Sequence, residues 1–92
     1  MSSSLVSRNV TVAGKRTSVR LEPVMWRALE QISARQNISV YEFCTRVRQK
    51  REGGNFTAGI RAEIVSYLLE SLTAAETRLA ALLELQESQD PV

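Results

Sequence analysis

The stretch Lys15-Arg16-Thr17-Ser18-Val19-Arg20-Leu21 alternates without a break. That pattern sets Thr17, Val19 and Leu21 on one face of a strand and Arg16, Ser18 and Arg20 on the other. No later segment has strand character of similar quality, and a lone strand leaves its backbone donors and acceptors without a ladder. The expected partner is the same segment of a second copy, which gives one short strand per chain and an antiparallel ribbon shared by two chains. At 92 residues the chain has room for one domain, and so small a core is only marginally stable alone, which also favours association. Residues 1–14 are Ser-rich with weak periodicity and read as a flexible arm, with a short strand at 9–13 as the alternative.

The rest of the chain reads as helix. Pro23 suits a first helical turn, and Trp26, Leu29 and Ile32 recur behind it at helical spacing, with Met25 and Ala28 beside them. Asn37 tolerates the left-handed conformation that ends helices. Ser39-Val40-Tyr41-Glu42 is a capping box in which Ser39 caps and Glu42 reaches back. The helix that follows runs to about Lys50 and turns Val40, Phe43, Cys44 and Val47 inward. Gly53-Gly54-Asn55 breaks the pattern inside a linker at 52–56, and Thr57 can cap what comes next. Ile60, Ile64, Leu68 and Leu72, then Leu79, Leu82, Leu83 and Leu85, carry an apolar stripe through a helical extension at 57–88. It is either one helix or two with a break near 71–73. Residues 89–92 read as a frayed tail. The organisation is an arm, a core at 15–51, a linker, the extension and the tail.

Composition narrows the function classes. The chain has no histidine and one cysteine, Cys44. The usual metal clusters, the Ser-His and Cys-His nucleophile pairs and the commonest general base are therefore missing, so neither an enzyme nor a cofactor or metal site is expected. Cys44 lies on an apolar helix face and reads as an inert buried thiol. No apolar run approaches the length of a membrane span, and the Ser-rich start lacks the pattern of a signal peptide, so a cytoplasmic protein without a membrane partner is expected. The net charge of +2 hides an asymmetry. Residues 1–51 carry ten Lys/Arg against three Glu, and residues 52–92 carry two Arg against seven Asp/Glu. A polyanion is the expected partner of the first half.

A strand, a helix, a capped turn and a second helix within residues 16–50 resemble the ribbon-helix-helix family of Arc and MetJ. Arg-Thr-Ser-Val-Arg-Leu-Glu-Pro at 16–23, then Trp26, Leu29 and Asn37-Ile38-Ser39-Val40-Tyr41-Glu42, are especially similar to a bacterial subfamily of ribbon-helix-helix domains. In that subfamily a further helix with an Asn-aromatic-Ser/Thr start follows, as Asn55-Phe56-Thr57 does here.

The resemblance implies a mainly α fold with a C-terminal helical extension and a homodimer that binds double-stranded DNA. It places Arg16, Ser18 and Arg20 on base edges in the major groove. Phosphates would meet Lys15, the helix start at Ser39, Val40 and Tyr41, and Arg46. The dimer core would be Thr17, Val19, Leu21, Trp26, Leu29, Ile32, Ile38, Phe43 and Val47. By alignment, the buried charged triad of Arc falls on Ile38, Phe43 and Val47, a departure toward an apolar core that a DNA-binding dimer tolerates.

The function implied is a bacterial transcriptional regulator, a repressor located at the nucleoid. The alternatives are an antitoxin that autoregulates its operon while holding a toxin protein, and a dimeric adaptor that binds no DNA. Arg46, Arg48, Lys50 and Arg51 read equally well as a solvated helix end and as phosphate contacts. Arg8 and Lys15 would sit on a mobile tail, or follow the DNA backbone or minor groove as a basic arm. The Leu-rich extension would lengthen the dimer interface, join dimers into a tetramer, or hold another protein.

Overall fold

The computed structural model describes residues 4–51 and 53–88. Expectations for residues 1–3, Glu52 and 89–92 lie outside the described residues. The order is β1 (Val6–Val12), β2 (Lys15–Leu21), α1 (Pro23–Arg35), α2 (Val40–Lys50) and α3 (Phe56–Ser88).

The two strands form an antiparallel hairpin in which Val6 faces Leu21, Asn9 faces Ser18 and Val12 faces Lys15. Ala13 and Gly14 make the turn with φ of 50° and 82°. Two successive left-handed residues give the turn twist that matches a right-handed hairpin. This corrects one expectation. Residues 6–12 are a strand rather than part of a flexible arm, longer than the short strand at 9–13 that was the alternative, so the described residues hold two strands instead of one. One edge of β2 thus finds a ladder within its own chain.

The reason lies at Arg8. Val6, Val10 and Val12 share the inward side of β1, but Arg8 takes the inward position between them, opposite Val19, and hides the period. Its guanidinium lies 4.6 Å from the centre of the Trp26 ring and 3.0 Å from Glu30 Oε2. The stem can therefore cover apolar surface while the charge stays solvated.

Both core helices follow the sequence signals. Pro23 stands at the start of α1, and Asn37, with φ of 60°, ends it. The Ile38 N–H then donates to the Ser33 carbonyl at 3.0 Å. Ser39 caps α2 by accepting from the Glu42 N–H at 3.0 Å. The reciprocal half of the expected capping box is absent, because the Glu42 carboxylate bonds Arg46 one turn on.

Asn55 caps α3, its Oδ1 accepting from the Ala58 N–H at 3.1 Å. Thr57, expected in that role, already lies inside the helix. α3 runs unbroken for 33 residues. From Ile60 to Ser88 it holds neither Gly nor Pro and is rich in Ala, Leu and Glu, which offer no reason to stop. Gly59 sets its seating: a Cβ there would stand 3.1 Å from Arg51 Cδ and 3.4 Å from Val47 Cγ1, so the missing side chain lets α3 lie close on α2.

One core joins these elements. Val10, Val12, Val19, Leu21, Trp26, Leu29, Ile32, Phe43, Cys44, Val47, Ile60 and Ile64 are all buried. Of the residues expected in a core shared by two copies, these include all but Thr17 and Ile38, which are half-buried. Seven of the nine form this core within one chain, and Ile38 packs against it. β1 closes the core over α2, and the Trp26 indole N–H donates to the Val6 carbonyl at 2.8 Å, tying β1 to α1.

Candidate nucleic-acid interface

Register decides which side chains face out from the hairpin. Ser7, Asn9 and Thr11 on β1 stand opposite Arg20, Ser18 and Arg16 on β2. Cross-strand partners share a face, and all six are exposed. The opposite face carries Val10, Val12, Val19 and Leu21 and is sealed onto the helices. The result is a two-stranded ribbon with an apolar underside and a polar, cationic top. Its turn is held to the body where the Ala13 N–H donates to Thr45 Oγ1 at 3.4 Å.

The structure thus brings Arg16, Ser18 and Arg20 together on one surface and adds three residues that the sequence reading missed. Ser7, Asn9 and Thr11 are legible as outward-facing only once the partner strand is known. The hydroxyls of Ser7 and Ser18 lie 3.0 Å apart and bond each other across the ladder.

Charge is distributed in an informative way. Among the described residues, Arg16, Arg20 and Lys15 have no ion-pair partner. The cations of α2 are engaged. Arg46 pairs with Glu42, Lys50 and Arg51 pair with Glu63 at 3.2 and 3.4 Å, and Arg48 lies 4.2 Å from the centre of the Phe56 ring. Each of these four residues has a partner within the chain, whose contact either seats α3 or rigidifies α2.

The start of α2 is differently placed. Ser39 and Tyr41 are exposed and Val40 is half-buried. The Val40 and Tyr41 N–H groups belong to the first turn, whose donors have no partner within the helix, and the positive end of the helix dipole lies there.

Among the described residues, two titratable groups depart from their ordinary values. Burial pushes the Cys44 thiol up to about 11, leaving it a poor nucleophile. The Glu22 carboxyl is held below the usual carboxylate range, first by its backbone hydrogen bond and then by Arg61, whose guanidinium lies 3.1 Å away. Among the described residues, no group of three His, Cys, Asp or Glu could hold a metal ion. No described helix is long and apolar enough to cross a membrane.

A family model described as a ribbon-helix-helix domain matches residues 5–68. The chain belongs to the ribbon-helix-helix family. The family is one of DNA-binding regulators, and its domain is not an enzymatic type. Among solved structures, an uncharacterized protein from Bordetella pertussis Tohama I is similar, with 32% identity and a TM-score of 0.66 over 79% of this chain. The chain spans 62% of that protein's length. No curated protein matches it. The matched residues of the ribbon-helix-helix domain take in β1, β2, α1 and α2 and stop at Leu68, where α3 leaves the core.

Proposed function

We propose that this ribbon-helix-helix protein binds double-stranded DNA as a homodimer and regulates transcription, repressing by occupying promoter sequence. The observation that carries this is the outer face of the hairpin, where two unpaired arginines stand among small polar side chains on a rigid, backed ribbon. A two-stranded ribbon fits the major groove. There Arg16 and Arg20 can bind guanine O6 and N7 in bidentate fashion, Asn9 can bind adenine N6 and N7, and Ser18 and Thr11 can serve more than one base.

Lys15 and the helix start at Ser39, Val40 and Tyr41 would hold phosphates, giving salt-dependent affinity without sequence preference. Because each chain already holds a complete ribbon, a second copy contributes a second reader rather than half of the first. Dimerisation then acts through effective concentration.

Selection of binding duplexes from a random pool by the purified protein tests this directly. A short repeated or symmetric motif is expected, with retention that falls steeply as salt rises. Arg20→Ala should weaken binding to the selected site by roughly 1–3 kcal/mol and relax preference at one position. Asn9→Ala should relax preference at another. No enrichment from the pool, or footprints unchanged in both variants, would sink the proposal.

A further inference from the structure

Beyond Tyr67, α3 leaves the body, and every described side chain from Leu68 to Glu87 is exposed. Leu68, Leu69, Leu72, Leu79, Leu82, Leu83 and Leu85 are each between 49% and 58% accessible. Scattered surface leucines need no explanation, but a continuous row of them does. The row has a definite period. Val65, Leu68, Leu72, Ala75, Leu79 and Leu82 step by three and four in strict alternation, the 3.5-residue repeat of a coiled-coil seam.

We propose that this stretch of α3 pairs with the same stretch of a second copy in a coiled coil. A straight helix of this length extends on the order of 50 Å, so its far half cannot fold back onto its own core. The partner must bring a matching 3.5-residue repeat, and a second copy does so by definition.

Charge does not oppose self-pairing. No seam position is charged, and the positions flanking the seam carry Glu76 and Arg78, which have opposite signs. Glu70 and Glu84 fall on the side away from the seam. Leu69, Leu83 and Leu85 flank the seam and broaden the contact. Three turns of leucine pairs from each chain, about half exposed before contact, amount to an interface on the order of 1,000 Å², enough for a specific association. The surface is separate from the hairpin, so copies pair whether or not the ribbon meets DNA.

Sedimentation equilibrium of the full chain is the test. The wild-type protein should associate at micromolar concentration. Leu72→Glu combined with Leu79→Glu should weaken association on the order of a hundredfold or more, because burying charge in an apolar seam is unfavourable. Trp26 fluorescence should stay native in that variant, since neither residue touches the core. Ala75→Leu, which fills the one small seam position, should tighten association. A wild-type chain that sediments as a monomer at about 100 µM in roughly physiological salt overturns the proposal and leaves the stripe to a different protein. So does an assembly that the paired Glu substitutions leave unchanged.

Discussion

Ile64 and Leu68 sit one turn apart on the same helix and meet opposite surroundings: the first is fully buried and the second is 49% exposed. The boundary separates two regions built from similar residues. The body, from Val6 to about Ile64, closes its own core from a hairpin and three helix faces. The far stretch of α3 has an equally apolar stripe and nothing of its own chain to cover it. Apolar character alone therefore does not make a core. Burial needs a second element within reach, and the body obtains it because β1 folds back at Ala13-Gly14 and because Gly59 lets α3 approach α2.

The largest test of that contrast compares one truncation in each region. Trp26→Ala removes a fully buried ring together with its bond to the Val6 carbonyl, and should destabilise the body by about 3–5 kcal/mol. Leu79→Ala, assayed at a dilution where copies are apart, should change unfolding by less than about 0.5 kcal/mol. Urea unfolding followed by circular dichroism reads both. Comparable losses would mean that the far stretch is packed as tightly as the body, and the distinction would fail.

The same contrast explains what could be read in the sequence. α1 and α2 were legible because local signals agreed with the apolar period: Pro23 and Asn37 bound one helix, Ser39 starts the next, and Trp26, Leu29, Ile32, Phe43 and Val47 all turn inward. β2 was legible from its alternation, and with it Arg16, Ser18 and Arg20. β1 was not. Arg8 interrupts its period, and Ala-Gly is a weaker hairpin signal than Asn-Gly or Asp-Gly, since Ala13 has to adopt a conformation that Cβ disfavours. Missing β1 hid Ser7, Asn9 and Thr11. In α3 the stripe was visible, but its burial was not: Ile60 and Leu72 are alike in sequence and differ only in what the fold brings against them.

An alkaline titration sharpens the comparison from the body's side. The thiol of Cys44 titrates near 9 in an unfolded chain and near 11 when buried. Its folded value is raised, so the native state holds the proton more tightly and the associated stability is fully present below about pH 8.5. That stability declines as pH rises through the window between the two values, by roughly 2–3 kcal/mol in all. Cys44→Ala should flatten that part of the profile relative to wild type. An identical slope in the variant would show that the site beneath β1 admits water and is not the closed core described.

The smallest expected effect falls at the junction between the regions. Asn55 accepts from the Ala58 N–H and starts the helix whose first turns carry Phe56 and Ile60 against the body. Asn55→Ala removes one cap bond and should lower the stability of the body by about 1 kcal/mol. It should leave the self-association of Leu72 and Leu79 unchanged, because the seam begins more than two turns further on. If the loss appeared instead as weakened association with the body's unfolding unaltered, the start of α3 would belong energetically to the far stretch, and the boundary would have to be moved from Ile64 toward Asn55.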